Sequence, residues 1–481
     1  MNNQILLAFL SYFSILLVIG IIAHKKQKSA ADFIMGNRSL NFWLTALSAH
    51  ASDMSSWLFM AFPGAVFGLG LPKAWIAIGL ILGMYANWQF IAQRLRLATE
   101  KYNSYTLPTF FENRFDDKSG VLRVLTASIA IFFLASYLSA GLTSMGILFE
   151  SVFGINYYFG LSVATFVVVL YTFVGGFLTV AWTDLVQAIF LLFVIIIVPI
   201  IAFNSLPQGL ETIQQAAITQ NISLQLWDTF NLKTFLEIAF LAAWGLGYFG
   251  QPHIVTKFMG IKNPSEIHKS KYLGMLWLVL ALGGAVLVGV VGIGYFPESL
   301  DNRESVFITM VSTLFTPYVA GFILCGILAA NMSTMDSQIL VCASVISEDF
   351  YKPLFRPQAS SNELLKVSRF GVICTALFSL MMAFNRSATV LEAVRYAWSG
   401  LGCSFGPLVV LSLYSKKVNK YGAIAGIVTG GVFSGGWQFL GGVSVYDIVI
   451  PAEIPGFFGG LAMIYAVSYL TDKKKATVCN F

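Results

Sequence analysis

Apolar residues along this chain run in long blocks, separated by short polar joints, with little of the two- or 3.6-residue alternation of half-buried elements. A helix of about 20 apolar residues covers the hydrocarbon thickness of a bilayer. About 13 such blocks can be placed, near residues 5–23, 41–69, 74–93, 124–151, 155–175, 182–204, 234–256, 271–296, 316–346, 365–384, 388–414, 421–441 and 449–470. The blocks at 41–69 and 316–346 are longer than a straight crossing needs and are expected to bend, break or tilt.

Two blocks are interrupted. The second carries His50-Ala51-Ser52-Asp53-Met54-Ser55-Ser56 at its middle, and hydrocarbon tolerates such groups only against a cavity, an ion or another polar group. The seventh, "LAAWGLGYFGQPHI", is interrupted by Gly245, Gly247, Gly250 and Pro252. Carbonyls freed by such a break survive at membrane depth only when buried in protein or lining a cavity. The bland alternative is that these glycines merely allow helices to pack closely. Blocks two and seven are five apart, so each would open one of two five-helix repeats, 41–204 and 234–414, with accessory helices at 421–470. Broken helices at matching positions of two repeats point to the central site of a secondary transporter.

The ninth block adds a polar face. "ILAANMSTMDSQIL" sets Ala330, Ser333, Thr334 and Ser337 at i, i+3, i+4 and i+7, with Asp336 at the edge. Hydroxyls and carbonyls are hard oxygen donors suited to a small alkali cation. The same hydroxyls can instead bond back to their own helix.

Composition then excludes whole classes. The 481 residues are 57% hydrophobic and only 11% charged, against about 25% charged in soluble domains, so this is a polytopic membrane protein. The net charge of +6 follows topology and does not imply nucleic acid. With alternate joints assigned inward, only Lys73, Lys233, Arg303 and Arg386 of the 29 Lys and Arg fall outside, and Arg395 lies within a span. The inner set includes Lys25, Lys26, Lys28, Arg38, Arg96, Lys257, Lys271 and Lys473–Lys475. This predicts an outer N-terminus and a cytoplasmic C-terminus in a plasma membrane of bacterial inner-membrane type. The basic residues near the N-terminus follow the first apolar run instead of preceding it, which predicts a retained span and not a cleaved signal. Cys325, Cys342, Cys374, Cys403 and Cys479 form neither a CxxC nor a ligand cluster and read as small packing residues. The longest joints, 94–123, 205–233, 297–315 and 347–364, leave no room for a soluble domain. No Walker-type glycine loop and no nucleophile–base set is present, so neither an ATP-driven pump nor an enzyme is expected. No obligate protein partner is evident.

"ALSAHASDMSSWLFMAFPGAVF", "GGFLTVAWTDLVQA", "WGLGYFGQPHI" and "ILAANMSTMDSQILV" together resemble the sodium:solute symporter family, from "GNRSL" at 36–40 to "AWSGLGCSFGP" at 397–407. The resemblance implies an all-α fold of leucine-transporter type, with inverted five-helix repeats, and sodium-coupled uptake by alternating access. It implies a sodium ion held by backbone carbonyls of Ala51, Met54 and Ala330 and by the hydroxyls of Ser333 and Thr334. Asp53 matches an acid needed for sodium coupling, either as ligand or as brace. Within the family the match is nearest to the proline-transporting members, implying L-proline as substrate, with Ser55, Ser56, Tyr137, Trp244, Tyr248 and Pro252 around it. Ser56 and His50 stand where those members carry Gly and a small residue. Asp184, Asp336 and Ser337 match a possible second cation site, although Asp336 replaces a serine. Arg38 matches an arginine of the inner gate, and an ordinary positive-inside anchor is the other reading. The competing functions are uptake of pantothenate or another amino acid and, in another class, an ion channel or transporter-derived sensor.

Overall fold

The computed structural model describes residues 3–24, 29–298, 300–385, 389–440 and 443–478, and is helical through most of that length. Lys25, Lys26, Lys28, Arg386 and Cys479 lie outside the described residues, and the side chains of Lys473–Lys475 are likewise not described. Among the described residues, ten helices are long and apolar enough to cross a membrane. The other predicted blocks hold shorter helices: Phe42–Ala51 and Ala61–Leu69 in the second, Tyr157–Val174 in the fifth and Lys420–Gly436 in the twelfth. Helix length therefore does not establish the count of about 13.

Helix starts follow local chemistry. The Asn41 side chain accepts the Leu44 N–H at 2.9 Å and opens Phe42–Ala51. Thr389 and Glu392 form a reciprocal capping box at the start of Val390–Tyr414. Each such cap satisfies backbone donors that the first helical turn leaves free.

The second block breaks where its sequence turns polar. Phe42–Ala51 ends at Ser52, whose hydroxyl donates to the Ser48 carbonyl at 2.6 Å. The chain then turns through Asp53 and is extended at Ser55, before a short 3-10 turn at Ser56–Leu58 leads to Ala61–Leu69. Short Ser and Asp side chains compete for backbone groups and favour such a break.

The seventh block breaks differently. Leu232–Ala242 is α-helical, Ala243–Gly250 tightens to a 3-10 helix, and Gln251 is extended. The proline explains this last step: its ring pushes the preceding residue out of the helical region, while its fixed φ suits the first turn of the new helix, Pro252–Met259. Close packing and the break coexist here. A Cβ on Gly245 would strike the Gly79 carbonyl, and one on Gly250 would lie 2.6 Å from the Leu401 oxygen. Small residues let these backbones meet.

The ninth block does not break. It is one helix, Pro317–Val345, running into a π-turn at Ile346–Tyr351. It packs against Asn3–His24, Val121–Phe153 and Phe177–Asn204, and its residues from Leu324 to Leu340 are all buried. That central helix presents its Ser/Thr face to the break in the second block.

Three of the basic residues that the charge pattern assigned to the inner side are enclosed by the fold. Arg96, Lys257 and Lys271 are buried. Arg96 donates to the Ile261 carbonyl at 2.8 Å, and Lys271 donates to Gln89 at 2.8 Å. These side chains reach inward because neighbouring helices offer them oxygen atoms.

Candidate functional site

At the first break, four oxygens converge. The Ser333 hydroxyl lies 2.8 Å from the Ala51 carbonyl and 3.0 Å from the Ala330 carbonyl. The Thr334 hydroxyl lies 3.4 Å from the first and 3.1 Å from the second. Both readings of these hydroxyls are therefore realised, since each bonds back to its own helix and also reaches the broken span. Ala51 closes its helix, so no following turn donates to its carbonyl. Met54 is buried in the same non-helical stretch, its N–H 3.2 Å from the His50 carbonyl.

Asp53 points to the other broken span. Its Oδ2 accepts the Tyr248 hydroxyl, while Oδ1 is buried with no hydrogen-bond partner among the described residues. The Tyr137 and Ser55 hydroxyls are buried with no hydrogen-bond partner among the described residues, and the Tyr137 ring meets His253 edge-on at 5.8 Å. Trp244 stacks on Trp57 at 6.3 Å, and the Arg395 guanidinium lies 5.6 Å from the Trp244 ring. Tyr248 packs edge-on against Trp398 at 5.0 Å. These aromatics surround the break with apolar faces and polar tips. The Ser56 hydroxyl is buried without a hydrogen-bond partner among the described residues.

The carbonyls freed in the seventh block are taken by side chains. Trp398 donates its indole N–H to Trp244 O at 2.9 Å, Gln251 donates to Gly247 O at 3.1 Å, and Asn87 donates to Tyr248 O at 3.0 Å. Buried backbone acceptors need such partners. The sequence reading missed Trp57, Asn87, Gln251 and Trp398. Only Trp57 and Gln251 carried a local signal, through their place beside a break.

Other expected members are dispersed. Pro252 lines a narrow cleft with Tyr105, Thr106, Lys257, Ser337 and Phe405, whereas Trp244 contacts Arg395, which lines a separate cleft with Lys73, Trp75 and Glu237. His50 turns away from the break. Its Nε2 accepts the Trp88 indole N–H at 3.2 Å, its ring lies 5.8 Å from Trp277, and Gly274 leaves the space for it. Arg38 is more than a surface anchor, donating to the Thr99 carbonyl at 3.0 Å and the Ser104 carbonyl at 3.1 Å.

The three residues of the second expected cation site are partly joined. Asp184 Oδ2 accepts Ser48 at 2.6 Å and has the Ser52 hydroxyl 3.3 Å away, and Ser52 lies 2.8 Å from Ser337. Asp336 Oδ1 instead accepts Thr172 at 2.7 Å. A lysine completes the group: Lys257 Nζ is 3.1 Å from Asp184 Oδ2, with both side chains fully enclosed. Nothing in the sequence marked Lys257 apart from apolar neighbours such as Val255, Phe258 and Met259.

Comparison with known proteins places this arrangement. The family model described as the sodium:solute symporter family matches residues 33–430. The chain is 42% identical to the high-affinity proline transporter PutP of Bacillus subtilis, covering 97% of this chain and 98% of that protein. It is 42% identical to the sodium/proline symporter of Escherichia coli, covering 99% and 95%. It is 39% identical to the osmoregulated proline transporter OpuE of Bacillus subtilis, covering 98% and 96%. Among solved structures, a Na+-coupled sialic acid symporter in its substrate-bound outward-open state superposes with a TM-score of 0.81 at 17% identity, covering 97% of this chain and 98% of that one. A nucleobase-cation-symport-1 family transporter in a closed conformation gives a TM-score of 0.56 at 14% identity, covering 92% and 96%. The fold is of leucine-transporter type. This multi-pass membrane protein belongs to the sodium:solute symporter family.

Proposed function

We propose that the chain imports L-proline together with sodium by alternating access. The observation that carries this reading is the convergence of the Ala51 and Ala330 carbonyls with the Ser333 and Thr334 hydroxyls, next to an aromatic set tied to Asp53. Sodium binds to these four oxygens and the Met54 carbonyl. Its charge steadies the break in the second block, and both the Ala51 carbonyl and Asp53 belong to that break. Proline packs its ring among Tyr137, Trp244 and Tyr248, with Ser55 and Ser56 beside it. The two inverted repeats span 41–204 and 234–414, with 421–470 accessory. The N-terminus lies outside a plasma membrane and the C-terminus in the cytoplasm. Arg38 holds the inner end shut by tying residues 36–38 to the loop at Thr99–Ser104.

Labelled L-proline uptake into proteoliposomes, with and without an inward sodium gradient, tests this directly. Uptake should require the gradient and be blocked by excess unlabelled L-proline. Inhibition by pantothenate or another amino acid, with none by proline, would leave symport intact and the substrate wrong. Truncating one large apolar contact costs about 1–3 kcal/mol, or roughly tenfold to a hundredfold in affinity. Trp244→Ala should raise the half-saturating proline concentration by about that factor while the protein still inserts. An unchanged value would remove Trp244 from the substrate site.

A further inference from the structure

Lys257 is a charged group at the centre of the molecule that the transport reading leaves unused. Its side chain is 1% exposed and Asp184 is 0% exposed, so both groups are cut off from water. Desolvating a charge costs several kcal/mol, and a buried pair persists only with close geometry and further hydrogen bonds. Those bonds are present: Asp184 Oδ2 also accepts Ser48 at 2.6 Å, and the Ser52 hydroxyl, 3.3 Å from the same oxygen, meets Ser337 at 2.8 Å. A carboxylate with two hydroxyls against it and a third beside them is the kind of oxygen set a hard cation takes. Here the cation is already covalently attached. Two carboxylate oxygens nearby, Asp184 Oδ1 and Asp336 Oδ2, are buried with no hydrogen-bond partner among the described residues.

The placement links three separate helices. Asp184 lies on Phe177–Asn204, Ser48 and Ser52 lie at the end of Phe42–Ala51, and Lys257 lies on Pro252–Met259, just past the Gln251–Pro252 break. Ser52 adjoins Ala51, whose carbonyl belongs to the first cation cluster.

Resting on the sodium-symport reading above, we propose that the Lys257 ammonium, held on Asp184, is a tethered second cation that neutralises the Asp184–Ser48–Ser52–Ser337 oxygen set, so that one sodium ion accompanies each substrate. A lysine that stays with the protein supplies the charge that a second sodium would otherwise bring. Removing it while keeping Asp184 should open that set to a second sodium ion.

The test is the reversal potential of substrate flux in proteoliposomes, which reads sodium ions per substrate. The parent and Lys257→Arg should both move one sodium. Lys257→Gln should move two, with a steeper sodium dependence, and the Asp184→Asn/Lys257→Gln double variant should return to one. Two sodium ions per substrate in the parent would overturn the proposal, as would one in an active Lys257→Gln variant. If Lys257→Gln binds but does not transport, equilibrium binding of radioactive sodium to the purified protein decides. Two ions per chain against one in the parent supports the proposal, and equal numbers overturn it. Absence of any sodium-driven uptake by the parent would instead sink the symport reading itself.

Discussion

Sodium-coupled uptake by the Asp53→Ala variant should fall at least about 100-fold, because it loses a hydrogen bond to a charged group, worth about 1.5–3 kcal/mol, together with the carboxylate beside the proposed cation site. Asp53 is buried at the break in the second block, and its carboxylate holds the Tyr248 hydroxyl across to the break in the seventh. Alanine deletes both the charge and the only contact of this kind that joins the two breaks among the described hydrogen bonds. Two milder variants separate these contributions. Tyr248→Phe removes the hydrogen bond and keeps the carboxylate, so a loss of about tenfold is expected from one charge-assisted bond. Asp53→Asn keeps the shape and removes the charge, and its loss should approach that of alanine, with the sodium requirement most affected. Initial rates over a range of sodium concentrations measure all three. Retention of coupled uptake within tenfold by Asp53→Ala would show that the carboxylate is dispensable.

The second large effect is expected on the ninth block. Ser333→Ala and Thr334→Ala each delete one hydroxyl oxygen from a set of four. A hydrogen bond or ligand contact to a charged group is worth about 1.5–3 kcal/mol, so each should raise the half-saturating sodium concentration roughly tenfold to a hundredfold. The double variant should exceed about 100-fold, with uptake recovering as sodium is raised. Thr334→Ser keeps the oxygen and should stay near the parent. Unaltered sodium dependence in both single variants would remove these hydroxyls from the cation site and leave them with only their contacts to the Ala51 and Ala330 carbonyls.

Much of the architecture was legible from local pattern. Hydropathy located the blocks because a bilayer demands continuous apolar length, whatever lies elsewhere in the chain. The polar run at 50–56 and the Gly/Pro run at 245–252 located both breaks, since each disrupts the helix through its own residues. Helical spacing put Ala330, Ser333 and Thr334 on one face, and the structure seats that face on Ala51.

What spacing could not supply was the partner of each buried polar group. Asp53 and Tyr248 are 195 residues apart, and Asp184 and Lys257 are 73 apart. His50 shares a run with Ser52 and Asp53, yet a helix turns neighbouring side chains to different directions, and His50 meets Trp88 and Trp277 instead. Asp336, beside Ser337 in the chain, likewise turns to Thr172. Counting Lys257 among the inner anchors followed the charge rule correctly applied, but that rule is blind to a carboxylate brought within 3.1 Å by folding. Local sequence determined where the membrane helices run and where they fail, because both depend on residues within a few turns. Tertiary packing decided which buried charge meets which, because burial makes an unpaired polar group costly and only the folded chain supplies its partner.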